Sequence, residues 1–556
     1  MTDIETTVLV VGGGPVGLLA AHLLGRRGVK TLLAEKHLSR LEAPKAHALN
    51  PRSLEICAAA GLPMADILGA ATPTDEGRWV RMVETLAKPE IGSLAYERQD
   101  DAVREVTPWP LINIEQPRFE AIVEREATDL RDVEIRRGLE WQSCVQISDQ
   151  VISTLTDRSS GETVKVRSRY LIAADGAGSR VRDALGIAMD GPERLSSQMM
   201  IHFEADLRPV VGDKPAILYF LFGPGAGGVL IAYDIGRTWV LMHPCGAAET
   251  PADFDAARCL GLVRAAIGVD TVDIAIKGVR SWVMSAQIAR RYRDGRVFLV
   301  GDAGHRFPPT GGLGLNTGVG DIDNLAWKIA AVEAGWAGPD LLESYESERR
   351  VIAQTNMGQS LANALRIRML FEALGYGTGQ TVDADTFAAR LADPAARIQV
   401  DAAVTAQKDH FDSLRLQLGF AYGGTLKDDD LLPISQFTPK AVAGARLPHM
   451  ALADGRSTLD LIAFEGFTLL TGPDPEAWRG FKAPPGAPLR RLVAGTDFVT
   501  SAGDWAGAMG LSRDGALLVR PDGHILDVAV TGAPAELARL SARLKATLAP
   551  ALEGVA

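Results

Sequence analysis

A glycine-rich turn near the amino terminus has the spacing of a dinucleotide-binding site. The apolar run TTVLVV (6–11) is followed by Gly12, Gly14 and Gly17 and then by leucines at helical spacing. Glu35 ends the next apolar stretch, KTLLAE, 18 positions after Gly17. Glycines at these positions let backbone amides approach a pyrophosphate, and a carboxylate at the second strand end accepts hydrogen bonds from ribose hydroxyl groups. Because an acidic residue disfavours a 2′-phosphate, the turn suits NAD or FAD better than NADP.

A second glycine-rich turn lies almost three hundred residues further along. The stretch VFLVGDAGHRFPPTGGLGLNTGVGDIDNLAWK (297–328) is typical of a buried strand, a loop rich in glycine and proline, and a helix. Such a loop suits a backbone that lies directly against a bound ligand, because glycine leaves no side chain in the way. His305, within this loop, is expected to hydrogen-bond the local backbone.

Hydrophobic periodicity divides the chain into regions of different architecture. Strand and helix patterns alternate up to a further strand-and-glycine segment, SRYLIAADGAGS (168–179). From about 195 to 283 the pattern becomes period two with many aromatic residues, which predicts an antiparallel sheet with one covered face. Helical patterns follow to about 420, and an acidic, proline- and glycine-bearing segment at 425–449 predicts a domain boundary. Strand-and-turn patterns and a closing helix at 534–547 complete the chain.

Composition argues against several classes of function. The chain has 556 residues, a net charge of −11 and 47% hydrophobic residues, which predicts two to four globular domains. No long run of Lys or Arg is present, so neither nucleic acid nor a membrane is an expected partner. The early apolar segment is interrupted by glycines and preceded by acidic residues, unlike a signal peptide. The four cysteines form no CxxC pair and no metal-ligand spacing, so we expect a reduced cytoplasmic protein without a metal.

The second turn resembles a motif of a known enzyme family. The segment GRVFLVGDAGHRFPPTGGLGLNTG resembles the second FAD motif of the flavin-dependent aromatic hydroxylases of the p-hydroxybenzoate and phenol hydroxylase type. The segment IAADGAGSRVRDALG resembles the DG motif of the same family through Asp175 and Gly176. With the first turn, three motifs occur in the family's order over roughly the first 400 residues. In layout the chain is most similar to the phenol and hydroxybiphenyl hydroxylase subgroup.

The resemblance implies an α/β fold in three parts. A Rossmann-like FAD-binding domain is expected from residues 1–185 and 284–400, with an antiparallel β-sheet substrate domain inserted at 186–283. A helical or linker segment at 401–440 leads to a thioredoxin-like domain at 441–556. That domain contains no CxxC, so dithiol redox chemistry is excluded and a packing or dimer-supporting role is expected. A homodimer is one expected assembly, and the oligomeric state stays open.

FAD is too long for one turn to hold, so the resemblance implies that the two turns share it. The first turn then holds the ADP half, and Asp302 hydrogen-bonds the ribityl or pyrophosphate region. The backbone at Gly314, Leu315 and Asn316 lies against the isoalloxazine ring, and a helix that begins near Thr317 directs its positive amino-terminal end at the flavin.

Three further residues are cofactor contacts by the same analogy. Asp175 of the DG motif and Gln116, in EQPRFEAIVE, are expected to lie against FAD. Lys45 stands where relatives commonly carry an arginine directed toward the cofactor. Lysine keeps the charge of that arginine but loses its bidentate geometry.

The reaction implied by the family is hydroxylation of an electron-rich aromatic ring. NADPH or NADH reduces FAD, dioxygen adds to give a flavin C4a-hydroperoxide, and this electrophile transfers one oxygen atom to the ring. The cofactor performs the difficult step, while the protein positions the ring and excludes water. The expected partners are therefore a small aromatic substrate, dioxygen and the nicotinamide cosubstrate.

His47 and Pro309 are the catalytic candidates. A phenol has a pKa of about 10 and reacts faster as phenolate, so a base that titrates near neutrality assists. His47, in EAPKAHALNPRSLEI, occupies a position where phenol-type hydroxylases carry a polar residue facing the substrate hydroxyl group, and imidazole titrates at about pH 6.5. The alternative is a histidine that bonds the backbone beside the flavin. Pro309 has a rigid backbone, and by resemblance the adjoining carbonyl faces the reaction centre.

The period-two segment supplies candidate walls for a substrate pocket. These are the large residues Tyr219, Phe222, Tyr233, Trp239 and Met242. Because alternation gives each face of a sheet an equal share, about half of them are expected to be ordinary core.

The main hypothesis is a single-component, FAD-dependent monooxygenase that consumes NAD(P)H and hydroxylates a phenolic ring, ortho to an existing hydroxyl group. Two alternatives stay open. One is the same flavoprotein acting on a polycyclic, polyketide-type aromatic by hydroxylation or oxygen insertion. The other is a protein that binds FAD as a structural or sensing group without turnover.

Overall fold

The computed structural model describes residues 2–40, 46–377, 382–423 and 433–549. Up to residue 190 its elements are β1 (Thr2–Val11), α1 (Pro15–Arg26), β2 (Thr31–Glu35), β3 (Ala48–Leu49), α2 (Pro51–Ala59), α3 (Met64–Gly69), α4 (Thr74–Gly77), β4 (Trp79–Val83), β5 (Glu90–Ala95), β6 (Ile112–Asn113), α5 (Gln116–Thr128), β7 (Val133–Arg137), β8 (Leu139–Ile147), β9 (Gln150–Asp157), β10 (Thr163–Ala173), α6 (Arg180–Ala184) and β11 (Met189–Asp190). The central part contains β12 (Ser196–Glu204), α7 (Arg208–Val211), β13 (Leu218–Leu221), β14 (Gly228–Asp234), β15 (Thr238–Cys245), α8 (Ala256–Ile267), β16 (Ala275–Met284), β17 (Gln287–Ala289), β18 (Arg293–Asp294), β19 (Val297–Leu299) and β20 (His305–Arg306). The remainder contains α9 (Leu313–Glu333), α10 (Ser344–Ala373), α11 (Ala384–Ala392), α12 (Pro394–Thr405), α13 (Lys408–Phe411), α14 (Leu414–Leu418), β21 (Phe467–Thr471), β22 (Leu489–Val493), α15 (Trp505–Ala508), β23 (Ala516–Val519), β24 (Ile525–Ala529) and α16 (Pro534–Leu548).

An eight-stranded sheet forms the base of the amino-terminal domain. Its main path has the order β18-β19-β10-β1-β2-β7, and the five strands from β19 to β7 run parallel. β1 is a continuous apolar run because both of its faces are covered, and Val8, Leu9 and Val10 are fully buried. The carboxyl ends of parallel strands lie at one edge of the sheet. The turns after β1, β10 and β19 therefore meet there, although they are far apart in sequence.

A seven-stranded sheet of order β16-β12-β15-β14-β13-β4-β5 forms the second domain. The antiparallel sheet expected at 186–283 is present, but β4 and β5 join it from sequence that we assigned to the FAD-binding domain, with β4 parallel to β13. These strands are only five and six residues long, too short to reveal their partners. Both faces of the sheet are covered, not one: α8 packs on one face and α10 to α12 on the other.

The carboxyl-terminal domain contains a four-stranded sheet of order β22-β21-β23-β24, with α16 against it. β21 and β22 are parallel, whereas β23 and β24 are antiparallel to their neighbours. This is the arrangement of a thioredoxin-like fold, as the family resemblance implies. Over the described ranges, no helix combines the length and the apolar character needed to cross a membrane.

Buried ion pairs join the carboxyl-terminal domain to the FAD-binding domain. Arg446 donates two hydrogen bonds of 2.9 Å to the Glu55 carboxylate on α2. Arg520 donates two hydrogen bonds, of 2.7 and 2.9 Å, to Glu348 on α10. A buried charge that loses its partner is strongly destabilising. The two domains therefore depend on each other for stability.

We expect Arg446→Leu to lower the free energy of unfolding by about 3–5 kcal/mol, because it leaves the Glu55 carboxylate buried without its main partner. Arg479→Leu is the control, since the pair of Arg479 with Glu476 is exposed and such pairs contribute at most about 1 kcal/mol. Equilibrium unfolding in urea measures both variants. Equal losses of stability would contradict the dependence of the domains on this pair.

Candidate active site

The turn between β1 and α1 requires glycine at two positions. Gly12 has φ +109°, and a Cβ there would lie 2.4 Å from the Ala174 carbonyl oxygen. A Cβ on Gly17 would lie 2.0 Å from the Gly12 carbonyl oxygen. Gly14 differs, because a Cβ there would meet nothing within 4 Å. α1 begins after Gly14 without a side-chain cap, so its first amides are open to a phosphate group in this free space.

Glu35 lies beside this turn at the end of β2. Its Oε2 accepts a hydrogen bond of 2.7 Å from the Gly13 amide, and its Oε1 accepts one of 2.8 Å from the His37 amide. These bonds fix the carboxylate, and each oxygen keeps a lone pair that can accept from a hydroxyl group. The position suits the ribose contact expected from the sequence, which stays a prediction.

Asp175 begins the loop after β10 and lies against the first turn. Its Cα is 3.0 Å from where a Cβ on Gly12 would stand. Its Oδ2 accepts a hydrogen bond of 3.2 Å from the Val181 amide, and burial raises its pKa. Its Oδ1 is buried and has no hydrogen-bond partner among the residues that the structure describes. A donor group on a ligand would satisfy this oxygen.

The second glycine-rich turn packs directly on the first. A Cβ on Gly318 of α9 would lie 2.7 Å from a Val16 methyl carbon and 3.0 Å from the Gly301 Cα. This close approach brings the amino-terminal turns of α1 and α9 side by side. α9 begins after Gly312, which has φ +62° and provides no side-chain cap. The helix thus starts four residues before Thr317, where we expected it, and Gly314, Leu315 and Asn316 form its first turn. Gly314 again borders open space, since a Cβ there would meet nothing within 4 Å.

The side chain of Asn316 braces this second turn. Its Oδ1 accepts hydrogen bonds from the Asn50 amide at 3.0 Å and from the Ser53 hydroxyl group at 2.6 Å. Its Nδ2 donates to the carbonyl oxygens of Ala48 at 3.0 Å and Gly312 at 2.8 Å. Because the side chain is engaged in this way, a flavin contact of Asn316 would come from its backbone, as the family resemblance implies.

Gln116 anchors the segment that leads to His47. Its Oε1 accepts a hydrogen bond of 3.2 Å from the Ala46 amide, and its Nε2 donates one of 2.7 Å to Glu120. Both ends of the amide are therefore engaged within the protein, which leaves one donor and one lone pair for a cofactor. Lys45 lies outside the residues that the structure describes.

Three other predicted site residues lie along the second turn. Asp302 is exposed in the short turn after β19. Leu315 is half-buried and packs on the core of the FAD-binding domain. Pro309 is exposed, and its carbonyl oxygen accepts a hydrogen bond of 3.1 Å from the Gly312 amide. The Pro309 carbonyl thus shapes the loop that precedes α9.

A buried carboxylate beneath the second turn has no signature in the sequence. Asp321 on α9 accepts hydrogen bonds from the Gly301 amide at 3.1 Å, from His305 at 2.8 Å and from Arg349 of α10 at 2.9 Å. Burial alone would raise the pKa of Asp321, but His305 and Arg349 hold it below its usual value. The partner of His305 is thus a side chain and not the backbone that we expected, because α9 passes beneath the loop.

His47 is held in one tautomer by Asn113. β3 and β6 pair Ala48 with Asn113, which places the Asn113 Oδ1 2.9 Å from the His47 Nδ1. Asn113 Nδ2 donates to the Gly77 carbonyl oxygen at 3.1 Å, so the amide oxygen must face the imidazole. His47 Nδ1 therefore carries the proton, and Nε2 presents a lone pair. Burial lowers the pKa of His47 despite the hydrogen bond to Asn113, which keeps the ring neutral at pH 7.

The two faces of the seven-stranded sheet separate the predicted pocket residues. The face towards α10 carries Phe222, Tyr233 and Met242. The opposite face, under α8, carries Tyr219 and Trp239. The Tyr233 ring is edge-on to that of His47, with centroids 6.0 Å apart. Alternation along the strands therefore places Tyr219 and Trp239 on the face away from His47, and it leaves Tyr233 beside the histidine with Phe222 and Met242 on the same face of the sheet.

The arrangement fits FAD. Two helices without side-chain caps begin at open space next to Gly14 and Gly314, and Asp175 Oδ1 lacks a donor within the described part of the chain. Phosphate and flavin oxygens accept hydrogen bonds from helix amides, and ribose hydroxyl groups can donate to a carboxylate. The described residues contain no group of His, Cys, Asp and Glu side chains arranged to hold a metal ion.

Comparisons with known proteins agree with this arrangement. Residues 5–360 match the family model of the FAD binding domain, and residues 440–551 match that of the aromatic-ring hydroxylase, C-terminal. Tetracenomycin B2 monooxygenase-dioxygenase of Streptomyces olivaceus is 35% identical, over 94% of this chain and 95% of that protein. 2,4-Dichlorophenol 6-monooxygenase of Cupriavidus pinatubonensis is 33% identical, over 96% of this chain and 95% of that protein. The crystal structure of the flavin-dependent monooxygenase PieE in complex with FAD and substrate has a TM-score of 0.91 and 33% identity, over 99% of this chain and 100% of that one.

Gly14→Val should weaken FAD binding without unfolding the protein. Gly14 has φ −75° and ψ −179°, which any residue adopts, and an added Cβ meets no protein atom. The valine would occupy the space beside the first amides of α1. The free energy of FAD binding should become less favourable by about 1–3 kcal/mol, which lowers the affinity roughly 5- to 150-fold. Flavin content after purification and titration of the flavin-free protein with FAD measure the loss.

Gly261→Val in α8 is the matched control, because a Cβ on Gly261 also meets nothing within 4 Å. Both variants should unfold close to the temperature of the wild type. Wild-type affinity for FAD in Gly14→Val would mean that the first turn does not hold the cofactor.

Proposed function

This chain belongs to the FAD-dependent aromatic-ring hydroxylase family, and we propose from that premise that His47 removes the proton of a phenolic substrate during ring hydroxylation. The predicted family, α/β fold, FAD cofactor and NAD(P)H-consuming monooxygenase activity are confirmed by these relationships. The observation that carries the proposal is the fixed tautomer of His47, whose Nε2 lone pair is left free to accept a proton.

Bound FAD would accept reducing equivalents from NAD(P)H and activate dioxygen. The protein has to orient the ring, take its proton and exclude water. A free phenol with a pKa of about 10 is protonated at pH 7. Transfer of the proton to His47 Nε2 gives a phenolate, whose ring is richer in electrons at the ortho and para carbons. Of these two positions, we propose the ortho carbon, beside the bound hydroxyl group, as the site of hydroxylation.

The apolar face of the seven-stranded sheet supports this chemistry. Phe222, Tyr233 and Met242 pack towards α10 on the side of His47. Side chains of this kind hold an aromatic ring by burial and keep water away from a reactive oxygen species. We propose that these three residues, and not their counterparts under α8, form the wall of the substrate pocket.

The names of the relatives refer to substrates of two sizes, a single phenolic ring and a polycyclic aromatic. One is a 2,4-dichlorophenol 6-monooxygenase, and others are tetracenomycin monooxygenase-dioxygenases and an aklavinone 12-hydroxylase. A phenolic ring is the chemistry that we propose for this chain. A polycyclic, polyketide-type aromatic is the second candidate, supported by the 35% identity to the tetracenomycin B2 enzyme. Because the reaction consumes NAD(P)H, we infer that the enzyme works in the cytoplasm; a homodimer stays a prediction.

Turnover by the purified holoenzyme tests this function. A panel of substituted phenols and polycyclic phenols should accelerate the oxidation of NADH or NADPH, with equal consumption of dioxygen. The product should be heavier by one oxygen atom, and its mass spectrum separates hydroxylation from ring opening. A protein that only stores or senses flavin would give no product with any member of the panel.

His47→Ala should slow hydroxylation by about 10²-fold or more, the usual contribution of a general base, while the FAD content stays unchanged. His243→Ala is the control, because His243 is also partly buried, with its ring beside the Gly227 carbonyl oxygen and against Phe254. Single-turnover measurements of product formation compare the two. Wild-type rates in His47→Ala would exclude His47 as the base.

The dependence of kcat on pH should report the protonation of His47. Since burial lowers its pKa from 6.5, kcat should rise with pH and reach half of its maximum below pH 6.5. Asn113→Asp places a carboxylate on the Nδ1 proton, which stabilises the imidazolium and raises the pKa. The acidic limb of the profile should then move to higher pH. If the acidic limb does not move, the group that titrates there is not His47.

A further inference from the structure

Tyr96 lies between His47 and the second glycine-rich turn. It follows β5 directly, only 3% of its surface is exposed, and its ring centroid is 5.8 Å from that of His47. Its hydroxyl oxygen is 3.6 Å from where a Cβ on Gly312 would stand, just before α9. The hydroxyl group is thus placed in the region bounded by the histidine and the start of α9, where the sequence offered no candidate.

The hydroxyl group of Tyr96 has no hydrogen-bond partner among the described residues. Other tyrosines differ: the hydroxyl groups of Tyr219, Tyr345 and Tyr376 donate to main-chain carbonyl oxygens at 3.1, 2.6 and 2.6 Å. The Tyr96 hydroxyl oxygen is not among the fully enclosed unpaired side-chain atoms of the described residues, so it borders accessible space. An oxygen atom of a ligand in this space could accept the hydrogen bond that the hydroxyl group donates.

Glu97 holds Tyr96 in position. Its backbone has φ +52°, in the left-handed region that a residue with a side chain rarely adopts. Its buried carboxylate accepts hydrogen bonds from the Ser413 amide and hydroxyl group, both at 2.9 Å, and from Gln417 at 2.8 Å. Such strain persists only where the surroundings enforce it, and it is concentrated at functional sites. α14 and the residue before it therefore fix the backbone that directs Tyr96.

We propose that Tyr96 determines substrate specificity by donating a hydrogen bond to a second oxygen atom of the substrate, next to the hydroxyl group that His47 binds. This inference rests on the proposed role of His47. The histidine accepts and the tyrosine donates, so the pair matches a ring that carries a hydroxyl group and, on the ortho or peri carbon, an acceptor oxygen. The substrate class is a hydroxyaryl carbonyl compound.

The protonation state of Tyr96 agrees with this role. Burial, and then the neighbouring Glu97, raise the pKa of Tyr96 above its usual value, so it stays a donor over the working range of pH. A donor of this kind cannot remove the substrate proton. Tyr96 would act on binding and orientation, while the proton goes to His47.

The variant Tyr96→Phe removes only the hydroxyl group. The holoenzyme is titrated with two matched pairs that differ in the carbonyl group: 2-hydroxyacetophenone against 2-ethylphenol, and 8-hydroxy-1-tetralone against 5,6,7,8-tetrahydro-1-naphthol. Binding is followed by the absorbance of the flavin. The wild type should bind the carbonyl member of at least one pair about tenfold more tightly, the value of one hydrogen bond. Tyr96→Phe should lose this preference and bind the other member as the wild type does.

Tyr219→Phe is the control, because its hydroxyl group bonds the Lys214 carbonyl oxygen on the opposite face of the sheet, and it should keep the preference. The inference is overturned if the wild type shows no preference, if Tyr96→Phe keeps it, or if both members of a pair are weakened equally. It is also overturned if Tyr96→Phe changes the flavin spectrum before any ligand is added, since the hydroxyl group would then bind the cofactor. In each of these cases His47→Ala would still slow turnover. If the proposed function itself is wrong, His47→Ala would not slow turnover.

Discussion

The geometry of the cofactor edge depends on one buried carboxylate, that of Asp321. A charge without access to water is tolerated only when it is paired, so the Gly301 amide, His305 and Arg349 must all stay within hydrogen-bond distance of it. Gly301 and His305 belong to the second turn, and Arg349 belongs to α10. Asp321, which lies on α9, therefore ties this turn to α9 and α10. The contact of Gly318 with Val16 extends the constraint to the first turn.

The carboxyl-terminal domain acts on the same site from the other side. Arg446 holds Glu55 on α2, and Arg52 of α2 donates to Asp323 of α9 at 3.0 Å. α2 begins after Asn50, whose amide bonds the Asn316 side chain. A domain that contains no redox dithiol thus braces the helix that connects His47 with the flavin-side turn. This is a physical basis for the packing role that the sequence suggests.

The sequence predicts those parts of the site whose constraints are local. Spacing in the sequence is enough to identify a glycine that needs an unusual φ or a close approach, as for Gly12 and Gly17. It also identifies a carboxylate at the end of a strand, as for Glu35. Asn113 could not be found in this way, because it reaches His47 across 66 residues through the pairing of two very short strands. Alternation predicted that about half of the large sheet residues are core. Tertiary packing decides which of these residues are core, because it determines which helix covers each face of the sheet.

The seven-stranded sheet is assembled from two separate stretches of chain, 79–95 and 196–284, with part of the FAD-binding domain between them. Neither domain is therefore a module that recombination could exchange in one piece. A transplanted 196–284 segment would arrive with the β13 edge unpaired, because its parallel neighbour β4 would stay behind, and an open apolar edge favours aggregation. An engineer who wishes to graft a pocket has to move both stretches together.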